Sequence, residues 1–142
     1  VKAAIAARLT GDATLMALLT GGVHHTAIEI SRKGTPSAFV DREIQPCCLI
    51  KLTTSAPFGP HHASERLYFQ LYFYQRAAYD IIEPARKRCY VLLHRQCVTP
   101  TDGTTMWEME HANDNLDQED ETLEAALIVS RYVAYINREE GV

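Results

Sequence analysis

The sequence predicts an α+β fold: an antiparallel or mixed sheet of four to five strands, with a long helix and two short N-terminal helices packed on one face. Three observations predict it. Residues 66–75, RLYFQLYFYQ, set Leu67, Phe69, Leu71 and Phe73 on one face of an extended chain and Tyr68, Gln70, Tyr72 and Tyr74 on the other. Residues 76–96 then switch to a 3.6-residue period, with Ala78, Ile81, Ile82, Ala85, Cys89, Leu92 and Leu93 on one helical face. The order of elements, α, α, a weak β, β, β, α, β, β, fits two packed layers.

The first helix is alanine-rich (Ala3, Ala4, Ile5, Ala6, Ala7, Leu9) and is broken at Thr10-Gly11. Asp12 is placed as the N-cap of a second helix over 13–19, where Leu15, Met16, Leu18 and Leu19 supply an apolar stripe, and Gly21-Gly22 ends it. Both are too short to stand alone and must dock on the rest of the chain. Residues 24–30 alternate moderately, as a short strand would. Residues 31–46, with Gly34 and Pro36, have loop chemistry over a length that compact domains seldom carry without a function.

Residues 47–54, CCLIKLTT, have strand propensity, and 55–65, with two prolines and a glycine, read as a long hairpin loop to 66–75. Pro84 interrupts the long helix 76–96, and an interior proline predicts a kink there. Residues 104–111, TTMWEMEH, alternate as a strand that takes Trp107 into the core. Asp114, Asp117, Glu119, Asp120, Glu121 and Glu124 fall within eleven positions without a Lys or Arg, which predicts a solvated acidic loop or a wall facing something negative that must not stick. The closing strand over 122–137 places Leu127, Val129, Arg131, Val133 and Tyr135 on one face and Ala126, Ile128, Ser130, Tyr132, Ala134 and Ile136 on the other.

With 142 residues, 46% hydrophobic and 23% charged, one domain spanning 1–142 is expected, and no repeat or linker divides it. A net charge of −4 argues against tight wrapping of nucleic acid. Cys47, Cys48, Cys89 and Cys97 have neither zinc nor redox spacing and read as reduced, packed thiols. No apolar run reaches the roughly 18 residues of a membrane span and no leader pattern opens the chain, so a soluble, intracellular protein is expected.

The chemistry-bearing residues form no enzyme signature. His24-His25 and His61-His62 are adjacent pairs whose members point to opposite sides of an extended chain, so neither pair readily chelates one ion, and no metal or cofactor is expected. Glu108 and Glu110 share a strand face, where solvated glutamates are the ordinary outcome. No nucleophile-elbow, phosphate-loop, dinucleotide or metalloprotease motif occurs. What stands out is surface. Tyr68, Tyr72 and Tyr74, with Ile128 and Tyr132 of the last strand, are candidates for a subunit interface on the face away from the helices; the alternative is an outer face half-covered by the chain's own loops.

The segment LTGDATLMALLTGG, a proline-preceded strand, the hairpin CCLIKLTT to RLYFQLYFYQ, the helix RAAYDIIEPARKRCYVLLHR, a tryptophan-bearing strand and a final strand together resemble the tail terminator, or tail-completion, proteins of long-tailed bacteriophages. The resemblance spans nearly the whole chain and lies in the rhythm of elements. It implies a non-catalytic subunit made in the host cytoplasm and carried in the tail neck of the virion. There it assembles as a homo-oligomeric ring, usually six-fold, on the tail tube protein and docks to the head-tail connector or stopper. Double-stranded DNA passes transiently through such a ring, and a wall formed by Asp114, Asp117, Glu119, Asp120 and Glu121 would repel it. The loops carrying Arg32, Lys33, Phe39 and Arg42, and Phe58, His61 and His62, would reach the tube or the connector. The longer first connection and Pro84 depart from the common family pattern. Alternatives are a head-side neck protein (stopper or head completion) of the same junction, and a small α+β enzyme or ligand-binding domain whose tyrosine and glutamate face lines a pocket.

Overall fold

Strict alternation carries residues 66–75 straight through the middle of a sheet, and the rest of the fold is arranged around that strand. The computed structural model describes residues 1–57, 64–100 and 103–138. Its elements are α1 (Lys2–Thr10), α2 (Ala13–Leu18), β1 (Val23–His24), β2 (Phe39–Val40), β3 (Glu43–Ile44), β4 (Cys47–Pro57), β5 (Ser64–Gln75), α3 (Ile82–Leu93), β6 (Thr104–Asp120) and β7 (Ala125–Arg138), with a single 3-10 turn at Pro36–Ala38. Five strands form one mixed sheet in the order β1-β4-β5-β7-β6, parallel only between β1 and β4, while β2 and β3 pair as a separate small hairpin. The α+β prediction holds.

All three helices pack on the face that carries Leu67, Phe69, Leu71 and Phe73, each of which is almost wholly withdrawn from water. Such side chains stabilise the fold by about 1.5–3 kcal/mol apiece. α1 contributes Ile5 and Leu9, α2 contributes Leu15 and α3 contributes Ile82, Ala85, Cys89 and Leu93. As predicted, Asp12 caps α2 by accepting the Leu15 N–H at 2.9 Å, and it also holds Arg88 of α3 through two bonds of 2.9 and 2.7 Å. These charged bonds lower the Asp12 carboxyl to about 2, the Arg88 hydrogen bond being the larger cause.

Four boundaries differ from the sequence reading. α3 has no kink, because it begins at Ile82 and places Pro84 in the first turn, where a missing N–H breaks no helical bond. The chain reverses between β5 and α3 at Ala77, whose φ is +57°. Gln75, only 6% exposed, bonds across this turn, its Oε1 accepting from the N–H groups of Ile81 and Ile82 at 3.0 and 3.1 Å. Trp107 is 50% exposed rather than buried: the register of β6 against β7 shifts between Met106 and Met109, which turns both methionines inward and the tryptophan outward.

The predicted acidic loop is strand as far as Asp120, hydrogen-bonded to β7 through two further register shifts. The hairpin loop is shorter than predicted, since β4 runs on to Pro57 and β5 starts at Ser64. The short strand expected over 24–30 is confined to Val23–His24. Gly21 lets this segment approach β4 closely: an added Cβ would lie 3.0 Å from the Cys47 Cβ and from the Pro46 oxygen.

Candidate functional site

The side chains of the outer face, away from the helices, form rows across β4, β5, β7 and β6. In order they are Cys47–Tyr74–Leu127–Gln118, Leu49–Tyr72–Val129–Asn115, Lys51–Gln70–Arg131–Asn113 and Thr54–Tyr68–Val133–Glu110. The first two rows lie beneath the segment leading into and through β2 and β3. Ile30, Ala38 and Ile44 pack there on Cys47, Leu49 and Tyr74, together with Leu123 and Ala125, while Tyr72 and Phe39 flank the cluster. Tyr74 is therefore 6% exposed, and burial raises its phenol above the ordinary range. The reading of Tyr74 as part of an open patch is corrected: its cover is the chain itself.

Beyond the second row the face is open. Tyr68 and Tyr72 are half-buried; Tyr72 donates to Gln70 Oε1 at 2.5 Å and its ring lies 5.6 Å from Lys51 Nζ. Arg131 donates to Asn113 Oδ1 at 3.3 Å and, with the Asn115 amide assigned so that its oxygen rather than its nitrogen meets the guanidinium, both terminal nitrogens donate to Asn115 Oδ1 at 2.8 and 3.1 Å. Thr54, Tyr68, Gln70, Asn113 and Arg131 are among the residues lining a trough of about 370 Å³ across this face.

Ile128 and Tyr132 do not join the tyrosine patch. They pair with Phe73 and Phe69, so alternation sends them to the helix side, where each is 1% exposed and Tyr132 stacks on Phe69 with centroids 5.4 Å apart. Next to them the rows Ile50–Leu71–Ser130–Asp114 and Leu52–Phe69–Tyr132–His111 bring polar groups under α3. Asp114 accepts from the Ser130 hydroxyl at 2.6 Å, from Arg86 at 2.7 Å and from His111 Nε2 at 2.9 Å; Arg86 is also bound by Glu83. Burial raises the Asp114 carboxyl, and the bonds from Ser130 and His111 together with Arg86 outweigh it, so the net shift is downward. Although Ser, His and Asp meet here, Ser130 is fully buried and donates to the aspartate rather than to the histidine. A serine nucleophile needs the opposite connectivity, so the cluster is a clamp between α3 and the sheet.

The acidic candidates therefore separate. Asp114 is inside the clamp and not on a channel wall. Asp120 accepts the Leu123 N–H at 3.1 Å in the β6–β7 turn, while Asp117, Glu119 and Glu121, with Glu124, are exposed and have no ion pair among the described residues. Of the arm residues, Arg32 donates to the Arg42 carbonyl at 3.0 Å and lies 5.4 Å from the half-buried Phe39 ring, and Lys33 is exposed. Phe58, His61 and His62 lie outside the described residues.

Sequence reading missed Ile28 and Val40, exposed by 82% and 57% on the same arm, because no periodicity distinguishes them in a loop. It also missed the capping role of Gln75. The outer edge of β6 is closed in its middle: Arg95, at φ +58°, donates to the Met109 carbonyl at 2.7 Å, Gln96 O accepts from Met109 N–H at 3.0 Å, and His94 Nδ1 accepts from His111 N–H at 3.0 Å.

No family model and no curated protein matches this chain. Among solved structures, a chain of the virion of a native gene transfer agent particle is similar, with a TM-score of 0.75 and 14% identity over 96% of this chain and 94% of that chain. The likeness is one of fold. It runs end to end, so that both helical and sheet layers are shared, at an identity where side-chain chemistry does not transfer.

Proposed function

We propose that this chain is a structural subunit of a phage-like particle: a tail terminator that assembles as a ring, six-fold by its family resemblance, caps the tail tube and joins it to the head connector. The observation that carries this reading is the end-to-end fold likeness to a virion chain. The order of elements that resembles tail terminators is independent support, since it rests on this sequence alone. The polar clamp at Asp114 supports a non-catalytic role, because its hydroxyl is buried and already engaged.

Among the described residues no helix is long and apolar enough to cross a membrane. The reading places the protein in the particle's neck, with the tail tube protein, a connector or stopper, and passing duplex DNA as partners.

The test is assembly. The purified chain is expected to form rings by negative-stain microscopy, and to stop elongation of tubes assembled from its cognate tail tube protein. Particles of 16.0 kDa at every concentration, together with tubes that elongate unchanged, would overturn the proposal.

A further inference from the structure

We propose that the open half of the outer sheet face receives the acidic β6–β7 turn of a second copy of the chain, with Glu119 and Glu121 entering the trough flanked by Lys51 and Arg131. This rests on the ring reading above and names the seam.

The chain carries a net charge of −4, yet its open face is cationic. Lys51 and Arg131 stand in one row of it on either side of Gln70, and Glu110 of the next row takes the Tyr135 hydroxyl at 3.4 Å. Neither Lys51 nor Arg131 has a carboxylate partner among the described residues. The exposed carboxylates of the turn likewise form no ion pair among the described residues, although Arg76, itself paired with Glu43, lines the same cleft. The same molecule thus displays two unneutralised patches of opposite sign, one on the face and one at the end of a hairpin.

Face against face repels, and turn against turn repels. Only face against turn is complementary, and that is a head-to-tail contact of the kind that closes a ring by rotation. The trough, about 370 Å³ and lined by hydroxyl and amide groups beside Arg131, has room and donors for carboxylate side chains. Strand addition along the middle of β6 is not available as an alternative seam, because Arg95, Gln96 and His94 already occupy it. The acidic turn is thereby assigned to the subunit contact rather than to the wall of a DNA channel.

The experiment uses full-length chains and sedimentation velocity. A face variant, Lys51→Glu with Arg131→Glu, and a turn variant, Glu119→Lys with Glu121→Lys, are each expected to lose at least about tenfold in self-association affinity. Mixed in equal amounts, they are expected to regain it, because every face then meets a complementary turn on the other variant.

Wild-type association is also expected to weaken as salt rises from about 0.05 to 0.5 M. This second measurement needs no variant to fold. Association untouched by either reversal, failure of the mixture to recover with both variants native by circular dichroism, or salt-independent association overturns the seam while leaving the ring standing. Reversal of the face that spares association but abolishes retention of duplex DNA overturns it in favour of a polyanion site. A wild-type chain that stays monomeric overturns the ring and the seam together.

Discussion

Replacing Asp114 with alanine is expected to destabilise the fold by about 3 kcal/mol at neutral pH, with two sources in the clamp under α3. The Ser130 hydroxyl, 0% exposed, loses its acceptor, and an unsatisfied buried hydroxyl costs about 1–3 kcal/mol. Arg86, whose side chain is 17% exposed, loses one of its two carboxylates. Breaking a fully buried pair costs about 3–5 kcal/mol, but Glu83 still holds this guanidinium, so the loss lies toward the lower part of that range or beneath it.

With an m-value of about 1–3 kcal/mol/M, the urea midpoint should fall by about 1–3 M. Ser130→Ala should cost less in the Asp114→Ala background than in the wild type, because the stranded hydroxyl leaves with it. The pH dependence gives a further check. The folded Asp114 carboxyl lies below its ordinary 3.8, so its contribution is fully present above that value and is lost as pH falls through the folded value. The gap between wild type and Asp114→Ala should therefore narrow below about pH 4. A midpoint moved by less than about 0.3 M at pH 7, or a gap that stays constant into acid, would refute the clamp.

Gln75→Ala removes the acceptor of two N–H groups at the start of α3, and with it the donor to Asp80 Oδ1 at 2.6 Å, and should cost about 2 kcal/mol in chemical denaturation; a loss below about 0.5 kcal/mol would mean that the glutamine does not hold the turn. In the native protein Cys97 should be the one thiol of the four to react with a disulfide reagent at pH 8, since it is exposed while burial raises Cys47 to about 12 and pushes Cys48 and Cys89 up as well. Rapid modification of more than one thiol before unfolding would contradict the packing of Cys48 and Cys89 beneath the helices and of Cys47 beneath Ile30, Ala38 and Ile44.

The central strand was legible because size and polarity alternate without interruption from Leu67 to Tyr74, and alternation fixes both period and face. β6 was not legible to its end for the opposite reason. Each of its three register shifts resets the alternation, and the acidic residues after Asn113 lack strand propensity. Pairing with β7, a contact remote in sequence, imposes the strand there regardless. The start of α3 was obscured in a similar way: Ala78 and Ile81 continue the apolar stripe upstream of the helix, while the features that delay it are the left-handed Ala77 and a glutamine reaching forward from the preceding strand. Neither leaves a periodic trace. The interface candidates were divided by a similar limit, since alternation separates the two faces of β7 without saying which of them the helices will cover.

What covers the tyrosines follows from where polarity enters the rows. The first two outer rows offer Cys47, Leu49, Tyr72, Tyr74, Leu127 and Val129, and the apolar residues Ile30, Ala38 and Ile44 of the arm bury Cys47, Leu49 and Tyr74 at little desolvation cost. The third row presents Lys51, Gln70, Arg131 and Asn113 side by side. Extending Ile30, Ala38 and Ile44 over it would strand two cations and two amides away from water, a cost of several kcal/mol that three apolar side chains cannot offset. The arm therefore ends where that row begins, and the tyrosine face divides in two: Tyr74 is sealed by its own chain, while Tyr68 stays beside a charged trough whose occupant must bring carboxylates.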